Sequence, residues 1–396
     1  MKAILCNRGH PEYGVATIPF PIPDEEYTHC MELLHTLKIG GVTEHDCYVE
    51  RIIDAPPALD VLEKTMINVD ELDFLARSLE QHGGGDLSKF CGMACLKGFQ
   101  EVTDLINLSF ACCQATVISD FSDLDRIGKD HYLTLRGGGA PSAEVKTLDG
   151  AEIARKLIAE GNGQITPYGV VYDNGMTIEA LYTGKNFPSY SERAYLLTVL
   201  YDSPGKGDCC LFLPTAEKRL ERLLERAGIL NAEEPHIKDW DSELSDELLS
   251  RIHVTRESVF ELNRLCAAVE ALDEAARKKL DAVVQCAEPE YAFQMRHLAE
   301  NLELFDFVPG VQTADGYGRY LIQESGHYEY DENLEPYYDY EKCGQEQMDS
   351  ESGAFSTLGY VSYHGILSLD ELMMEDPADL EEDFRQTHWL EMGGMA

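Results

Sequence analysis

The chain has 396 residues, 44% of them hydrophobic, which is enough for two or more ordinary cores. Its 72 acidic residues against 32 basic ones give a net charge of −40, a field that excludes nucleic acid and anionic membranes as partners and points to a positively charged surface. Forty net charges correspond to roughly 70 Å of duplex DNA, about 20 base pairs. The groove of a DNA-binding protein is therefore one fitting surface, and a halophilic or merely acidic protein is the other account of the same number.

Twelve cysteines occur and none makes a C-x-x-C pair. Cys91 and Cys95 are one helical turn apart, and the doublets Cys112-Cys113 and Cys209-Cys210 sit among apolar residues, so buried reduced thiols are expected and a zinc site is not. The start, MKAILCNRGH, lacks an apolar core of signal-peptide length. No apolar run approaches the ~20 residues of a membrane span. A cytoplasmic protein without cofactor or metal is expected.

In chain order, residues 3–6 and 15–20 read as strands around the turn-prone Gly9 to Gly14. Asp24-Glu25-Glu26 then opens a helix, with its carboxylates where the macrodipole favours them, and Tyr27, Met31, Leu34 and Leu37 form its apolar stripe. Residues 46–53 read as a further strand. Asn68-x-x-Glu71 is a capping-box variant before a helix with an apolar face of Leu72, Leu75, Ala76 and Leu79, stopped by Gly83-Gly84-Gly85. Helices are expected at about 87–97 and 100–110, a strand at 115–118, a short helix ending near Tyr132, a helix over 149–160 and a strand over 168–173. Asn174-Gly175 signals a hairpin turn, and residues 188–192 read as a linker. Gly137-Gly138-Gly139 lacks the G-K-[ST] of a phosphate loop and reads as an ordinary loop.

The second half repeats this order at an offset near 190 residues. Leu33-Leu34 and Ile39 return as Leu223-Leu224 and Ile229, and Asn68-x-x-Glu71 as Ser258-x-x-Glu261. Leu72 and Leu75 return as Leu262 and Leu265, Gly128 as Gly318, and Gly169, Val171 and Gly175 as Gly359, Val361 and Gly365. Caps, core leucines and turn glycines set a backbone, so a tandem duplication is expected. The charge is uneven: residues 1–190 hold 28 acids and 15 bases, and residues 191–396 hold 44 and 17.

The densest charge lies at 324–341, ESGHYEYDENLEPYYDYE. It has seven carboxylates (Glu324, Glu329, Asp331, Glu332, Glu335, Asp339, Glu341), no Lys or Arg, and Tyr328, Tyr330, Tyr337, Tyr338 and Tyr340 interleaved. Disordered acidic segments are poor in aromatics, so a folded surface is expected, anchored by the rings with the carboxylates held outward. Asp331-x-Asn333-x-Glu335 resembles a calcium loop, but Pro336 and Lys342 stand where glycine and a bidentate glutamate are needed. His327 and His364 are isolated, and no nucleophile triad or dinucleotide fingerprint occurs.

The segments ELNRL (261–265), GYGRYLIQESG (316–326), LEPYYDYEKCG (334–344) and GYVSYHGIL (359–367) resemble the ArdA antirestriction proteins of mobile elements. In the first half the resemblance rests on IPFPI (18–22), VDELDFLARSL (69–79) and VISDFSDL (117–124), and the pattern departs between about 133 and 165. The resemblance implies an α+β, elongated, multi-subdomain protein built from two tandem ArdA-like copies. Each copy would have a small α/β subdomain, a helical subdomain and a second small α+β subdomain: 1–66, 67–114 and 115–187, a linker at 188–192, then 193–256, 257–305 and 306–377, with an acidic tail at 378–396. It also implies a non-enzymatic DNA mimic that occupies the DNA groove of type I restriction-modification enzymes, chiefly their methyltransferase and specificity subunits. Family members dimerise, and here one chain with two copies, a monomer with pseudo-two-fold copies, competes with a homodimer. The residues expected to meet the partner are the seven carboxylates above with Asp70, Asp73, Asp120, Asp123 and Asp125. A binding module for basic proteins in general and an enzyme with an unrecognised site stay open as alternatives.

Overall fold

A computed structural model describes residues 1–189, 195–203, 205, 207–230, 236–326 and 328–374 of the protein. His327 and the tail at 378–396 lie outside the described residues. The described residues form two compact units, one of 1–189 with residues from 200–210 and 216–230, and one of 195–199 with 211–215 and residues from 236–374. Residues 216–230, which include a helix of the second half of the sequence, belong to the first of these units.

The chain opens on β1 (Lys2–Cys6) and β2 (Val15–Pro19). Next come α1 (Asp24–Thr36), β3 (Cys47–Ile53) and β4 (Met66–Ile67). The four strands form an antiparallel sheet in the order β2-β1-β3-β4. Its period of two sends Ala3, Leu5, Ile18 and Val49 inward against Tyr27 and Leu34 of α1. The helices α2 (Val69–Glu80), α3 (Gly84–Lys97) and α4 (Val102–Ala111) extend the same core through Leu72, Leu75, Phe90, Met93 and Leu105. The glycines expected to stop α2 do otherwise: Gly84 and Gly85 are the first residues of α3. Asn68 does cap α2, its Oδ1 accepting from the Glu71 N–H at 3.1 Å.

A smaller layer follows: β5 (Thr116–Ile118), α5 (Leu124–Leu135), α6 (Ser142–Thr147), α7 (Gly150–Glu160), β6 (Gln164–Thr166) and β7 (Gly169–Tyr172). Its sheet order is β5-β7-β6. Asn174 and Gly175 adopt positive φ, 52° and 73°, and make a turn, but no strand returns from it. Residues 176–189 run on irregularly, and Met176, Ile178, Tyr182 and Phe187 pack on the first unit's core. The hairpin lies one step earlier, between β6 and β7, with Thr166 opposite Gly169.

The second half supplies β8 (Leu197–Tyr201), β9 (Cys209–Leu213), α8 (Glu217–Ala227) and β10 (Ile237–Ser242), with sheet order β10-β8-β9. Then come α9 (Asp246–Leu249), α10 (Val259–Glu270), α11 (Glu274–Ala287) and α12 (Ala292–Glu300). The last layer is β11 (Phe305–Pro309), α13 (Ala314–Arg319), α14 (Tyr340–Glu351), β12 (Ala354–Phe355), β13 (Gly359–Tyr363) and α15 (Leu369–Leu372), with sheet order β11-β13-β12.

The fold is therefore α+β, built of several small sheets with many helices. Helices α2 and α3 and strands β6 and β7 have counterparts that start 190 residues later. The glycines have a common cause in both halves. A Cβ at Gly128 would overlap the Gly150 carbonyl oxygen where α5 crosses α7, and one at Gly318 would overlap the Tyr340 carbonyl oxygen where α13 meets α14. Among the described residues no helix is long and apolar enough to cross a membrane. All twelve cysteines are free thiols; Cys91, Cys112 and Cys209 are buried, whereas Cys95 and Cys113 are exposed.

Candidate partner-binding surface

The acidic stretch joins α13 to α14. After α13 a π-helical turn spans Tyr320–Glu324, and a 3-10 helix spans Glu332–Tyr337. Glu324, Glu329, Asp331, Glu332, Glu335, Asp339 and Glu341 are all exposed. Two of them also fix the backbone. Asp331 Oδ1 accepts from the Asn333 N–H at 2.9 Å, and Asp339 Oδ1 caps α14 by accepting from the Lys342 N–H at 3.1 Å. The Asp331 N–H donates to Tyr338 Oη at 3.1 Å.

The rings divide into two kinds. Tyr340 is buried, with Arg319 stacked 4.3 Å from its ring centre and its hydroxyl accepting from Gln323 Nε2 at 2.9 Å. Tyr330, Tyr338 and Tyr340 follow one another at centroid distances of 5.9 and 5.8 Å. Partial desolvation, then the nearby Glu335, Tyr340 and Glu332, hold the Tyr330 hydroxyl above its usual range. Buried Tyr340 and half-buried Tyr338 anchor the stretch, with the exposed Tyr330 ring leaning on Tyr338. Tyr337, 83% exposed, and Tyr328 face outward instead. A 3-10 helix has three residues per turn, so Leu334 and Tyr337 share one exposed edge and Glu332 and Glu335 another.

In the first half Asp120, Asp123 and Asp125 are also exposed, but each has local work. Asp120 accepts from the Ser122 N–H at 2.9 Å and from its hydroxyl at 2.8 Å, which lowers its pKa. Asp123 caps α5 through the Arg126 N–H at 3.0 Å. Asp125 is paired with Lys129 at 2.6 Å, which lowers its pKa, and accepts from the Gly150 N–H at 3.1 Å.

Asp70 and Asp73 are not on that surface. They are 8% and 5% exposed, because α8 covers them with arginines. Arg219, Arg222 and Arg226 recur at helical spacing and lie on one face. Arg222 holds Asp70 bidentately, Nε to Oδ1 at 3.0 Å and Nη2 to Oδ2 at 2.8 Å, while the Tyr27 hydroxyl donates to Asp70 Oδ1 at 3.0 Å. Arg226 donates to Asn68 Oδ1 at 2.7 Å, to the Val42 carbonyl at 2.6 Å and to Tyr182 Oη at 2.9 Å. Tyr182 donates in turn to Glu71 Oε1 at 2.8 Å. Arg219 pairs with Asp24, donates to the Ile22 carbonyl at 2.7 Å and stacks 4.2 Å from the Tyr27 ring centre. Asp73 accepts from the Ile22 N–H at 2.6 Å and from Arg77 Nε at 3.2 Å.

Burial sets the protonation here. It pushes Asp73 up to about 6 and Arg219 down to about 9. It also opposes Arg222, whose pKa the charge of Asp70 nevertheless holds above the usual value. The sequence signal for this pocket was three arginines at i, i+3 and i+7 beside Leu220, Leu224 and Ala227 in a strongly acidic half.

Residues 208–362 match the protein family described as Antirestriction protein (ArdA). That segment is similar to the ArdA family. No curated protein matches the chain. The ArdA segment contains α8 with its three arginines and the whole acidic stretch. Within it Ser258 does not cap α10 with its side chain. Glu261 instead receives Arg264 Nη1 at 2.6 Å and Arg296 Nε at 3.2 Å, so the expected capping box is an ion-pair site. His364 Nδ1 lies 3.6 Å from Asp306 Oδ2 on the surface. Gly137 and Gly138 close the end of α5, the Gly138 N–H donating to the Leu133 carbonyl at 2.9 Å.

Proposed function

We propose that this protein is an antirestriction protein that mimics DNA and blocks type I restriction-modification enzymes by occupying their DNA groove. The observation that carries the reading is the base-free run of seven exposed carboxylates between Glu324 and Glu341, inside the ArdA segment. Carboxylates take the place of phosphates, and the lysines and arginines of the enzyme's methyltransferase and specificity subunits donate to them. DNA is excluded by competition and no bond is broken. Carboxylates fixed on a protein release fewer condensed counterions than duplex DNA does, so pre-organised spacing supplies more of the affinity. The backbone bonds of Asp331 and Asp339 and the anchored rings of Tyr338 and Tyr340 favour that reading.

The same reading takes residues 1–187 and 193–377 as two ArdA-like copies, on the strength of the common element order and matching sheet orders. A competition experiment tests the function: a purified type I enzyme, a labelled duplex with its recognition site, and increasing amounts of this protein at several salt concentrations. Displacement of DNA that weakens steeply with salt is expected, since exposed pairs are screened within about 8 Å at physiological ionic strength. Salt-independent inhibition, or chemical turnover of the target, speaks against it.

A further inference from the structure

We propose that α1, α2 and Tyr182 form a receptor site for an arginine-bearing helix, and that α8 is its ligand, joining the two halves of the sequence in one direction only. The ligand side is Arg219, Arg222 and Arg226, all buried. The receptor side is Asp24, Asp70 and Asp73 with the neutral acceptors Asn68 and Tyr182. Both belong to the first compact unit, although α8 is encoded after the linker and inside the ArdA segment.

The two halves differ at these positions in a complementary way. Helix α1, which holds the place of α8 in the first half, reads DEEYTHCMELLHT and has no Lys or Arg. Helix α10, which holds the place of α2 in the second half, has Phe260 for Asp70 and Asn263 for Asp73. It keeps Glu261 for Glu71 and neutralises it from its own half through Arg264 and Arg296. The first half has Phe74 and Ile106 where those arginines stand; its Glu71 meets His45 and the Tyr182 hydroxyl, while Asp24, Asp70 and Asp73 receive arginines from α8. Among the described residues ligand and receptor thus each occur once. A head-to-tail contact of this kind extends into a filament when every copy carries both faces, and here the series ends after one junction. A buried carboxylate that loses its arginine is left uncompensated, which keeps helix and receptor together.

The test uses the full chain with a protease recognition sequence inserted between Ser189 and Tyr195, cut after folding, and follows the two halves by gel filtration at physiological salt. The halves are expected to co-elute. Arg222→Glu with Arg226→Glu should separate them, and Asp70→Asn, which only removes one charge, should weaken their association about tenfold or more. Lys218→Glu, on the same helix but paired locally with Glu221, should leave association unchanged. Co-elution of the charge-reversed halves, or an Asp70→Asn pair as tight as the unmodified one, overturns the proposal. No restriction enzyme enters the test, so its result is independent of the proposed inhibition.

Discussion

Asp73 and Asn263 are each the fifth residue of a helix, α2 and α10, and do the same backbone work. Asp73 Oδ1 accepts from the Ile22 N–H at 2.6 Å, and Asn263 Oδ1 accepts from the Thr215 N–H at 2.8 Å. Asn263 also returns a bond from its Nδ2 to the Thr215 carbonyl at 2.9 Å, which a carboxylate cannot do. In the first half Arg77 and Arg219 approach the acid instead, at 3.2 and 3.5 Å. An amide satisfies the site without a cation, and a carboxylate suits it where arginines are at hand.

That difference gives a pH prediction. An unfolded aspartate titrates near 3.9, and burial raises Asp73 to about 6. Between those values the folded chain holds a proton that the unfolded chain has lost, so the contribution of this site falls as pH rises through the window and is level above it. From pH 4.5 to pH 7 the loss is about 2 kcal/mol. Asp73→Asn removes the titration. Urea unfolding at both pH values should therefore show the stability of the native chain, relative to the variant, dropping by that amount; a constant difference excludes a raised Asp73.

Arg222→Ala should cost about 3–5 kcal/mol, because it leaves Asp70 buried without its bidentate partner. Exchanging the pair for apolar residues, Arg222→Met with Asp70→Leu, should cost much less, since no buried charge remains. Chemical denaturation of the three proteins measures both, and equal losses in the single and double variants contradict the pairing.

Gly318→Ala places a methyl group on the Tyr340 carbonyl oxygen, in backbone that cannot move without parting α13 from α14. A loss of about 1–3 kcal/mol is expected from overpacking, and the same at Gly128. Gly139→Ala meets nothing within 4 Å and should stay within about 0.5 kcal/mol. Thermal unfolding distinguishes them.

Much of the fold was legible because local rules and tertiary packing agree. The α1 stripe of Tyr27, Met31, Leu34 and Leu37 is buried as its spacing predicts, and so is the α2 face of Leu72, Leu75, Ala76 and Leu79. Glycines misled where several roles compete: Gly84 and Gly85 open a helix, and the Asn174-Gly175 turn leads to chain that packs instead of pairing. Composition made the 324–341 surface visible, since seven acids with no base leave few interior partners. The burial of Asp70 and Asp73 was not legible, because the α8 arginines that cover them lie about 150 residues away and a helical Asp beside Glu71 looks like any solvated first turn. Tyr337 differs from its sequence expectation for a similar reason: its identity suggests a buried anchor, but the 3-10 phase turns it outward.

The acidic stretch should contribute more to inhibition than the first-half acids, and only a multiple change will show it. Exposed ion pairs are worth roughly 0–1 kcal/mol each, so single substitutions fall within error. Five together, Glu329→Gln, Asp331→Asn, Glu332→Gln, Glu335→Gln and Asp339→Asn, at about 0.5 kcal/mol each, sum to about 2.5 kcal/mol, on the order of a fiftyfold loss of affinity. Asparagine serves as well as aspartate at a helix cap, so the bonds from the Asn333 and Lys342 N–H groups survive and circular dichroism should match the native chain. The comparison variant, Asp120→Asn with Asp123→Asn and Asp125→Asn, should lose less, because Asp125 is already paired with Lys129. Inhibition constants against a type I enzyme, taken at two salt concentrations, decide it. The five-site variant should also show the shallower salt dependence, since fewer enzyme cations are engaged. An unchanged inhibition constant in a folded five-site variant would move the binding surface elsewhere on the protein.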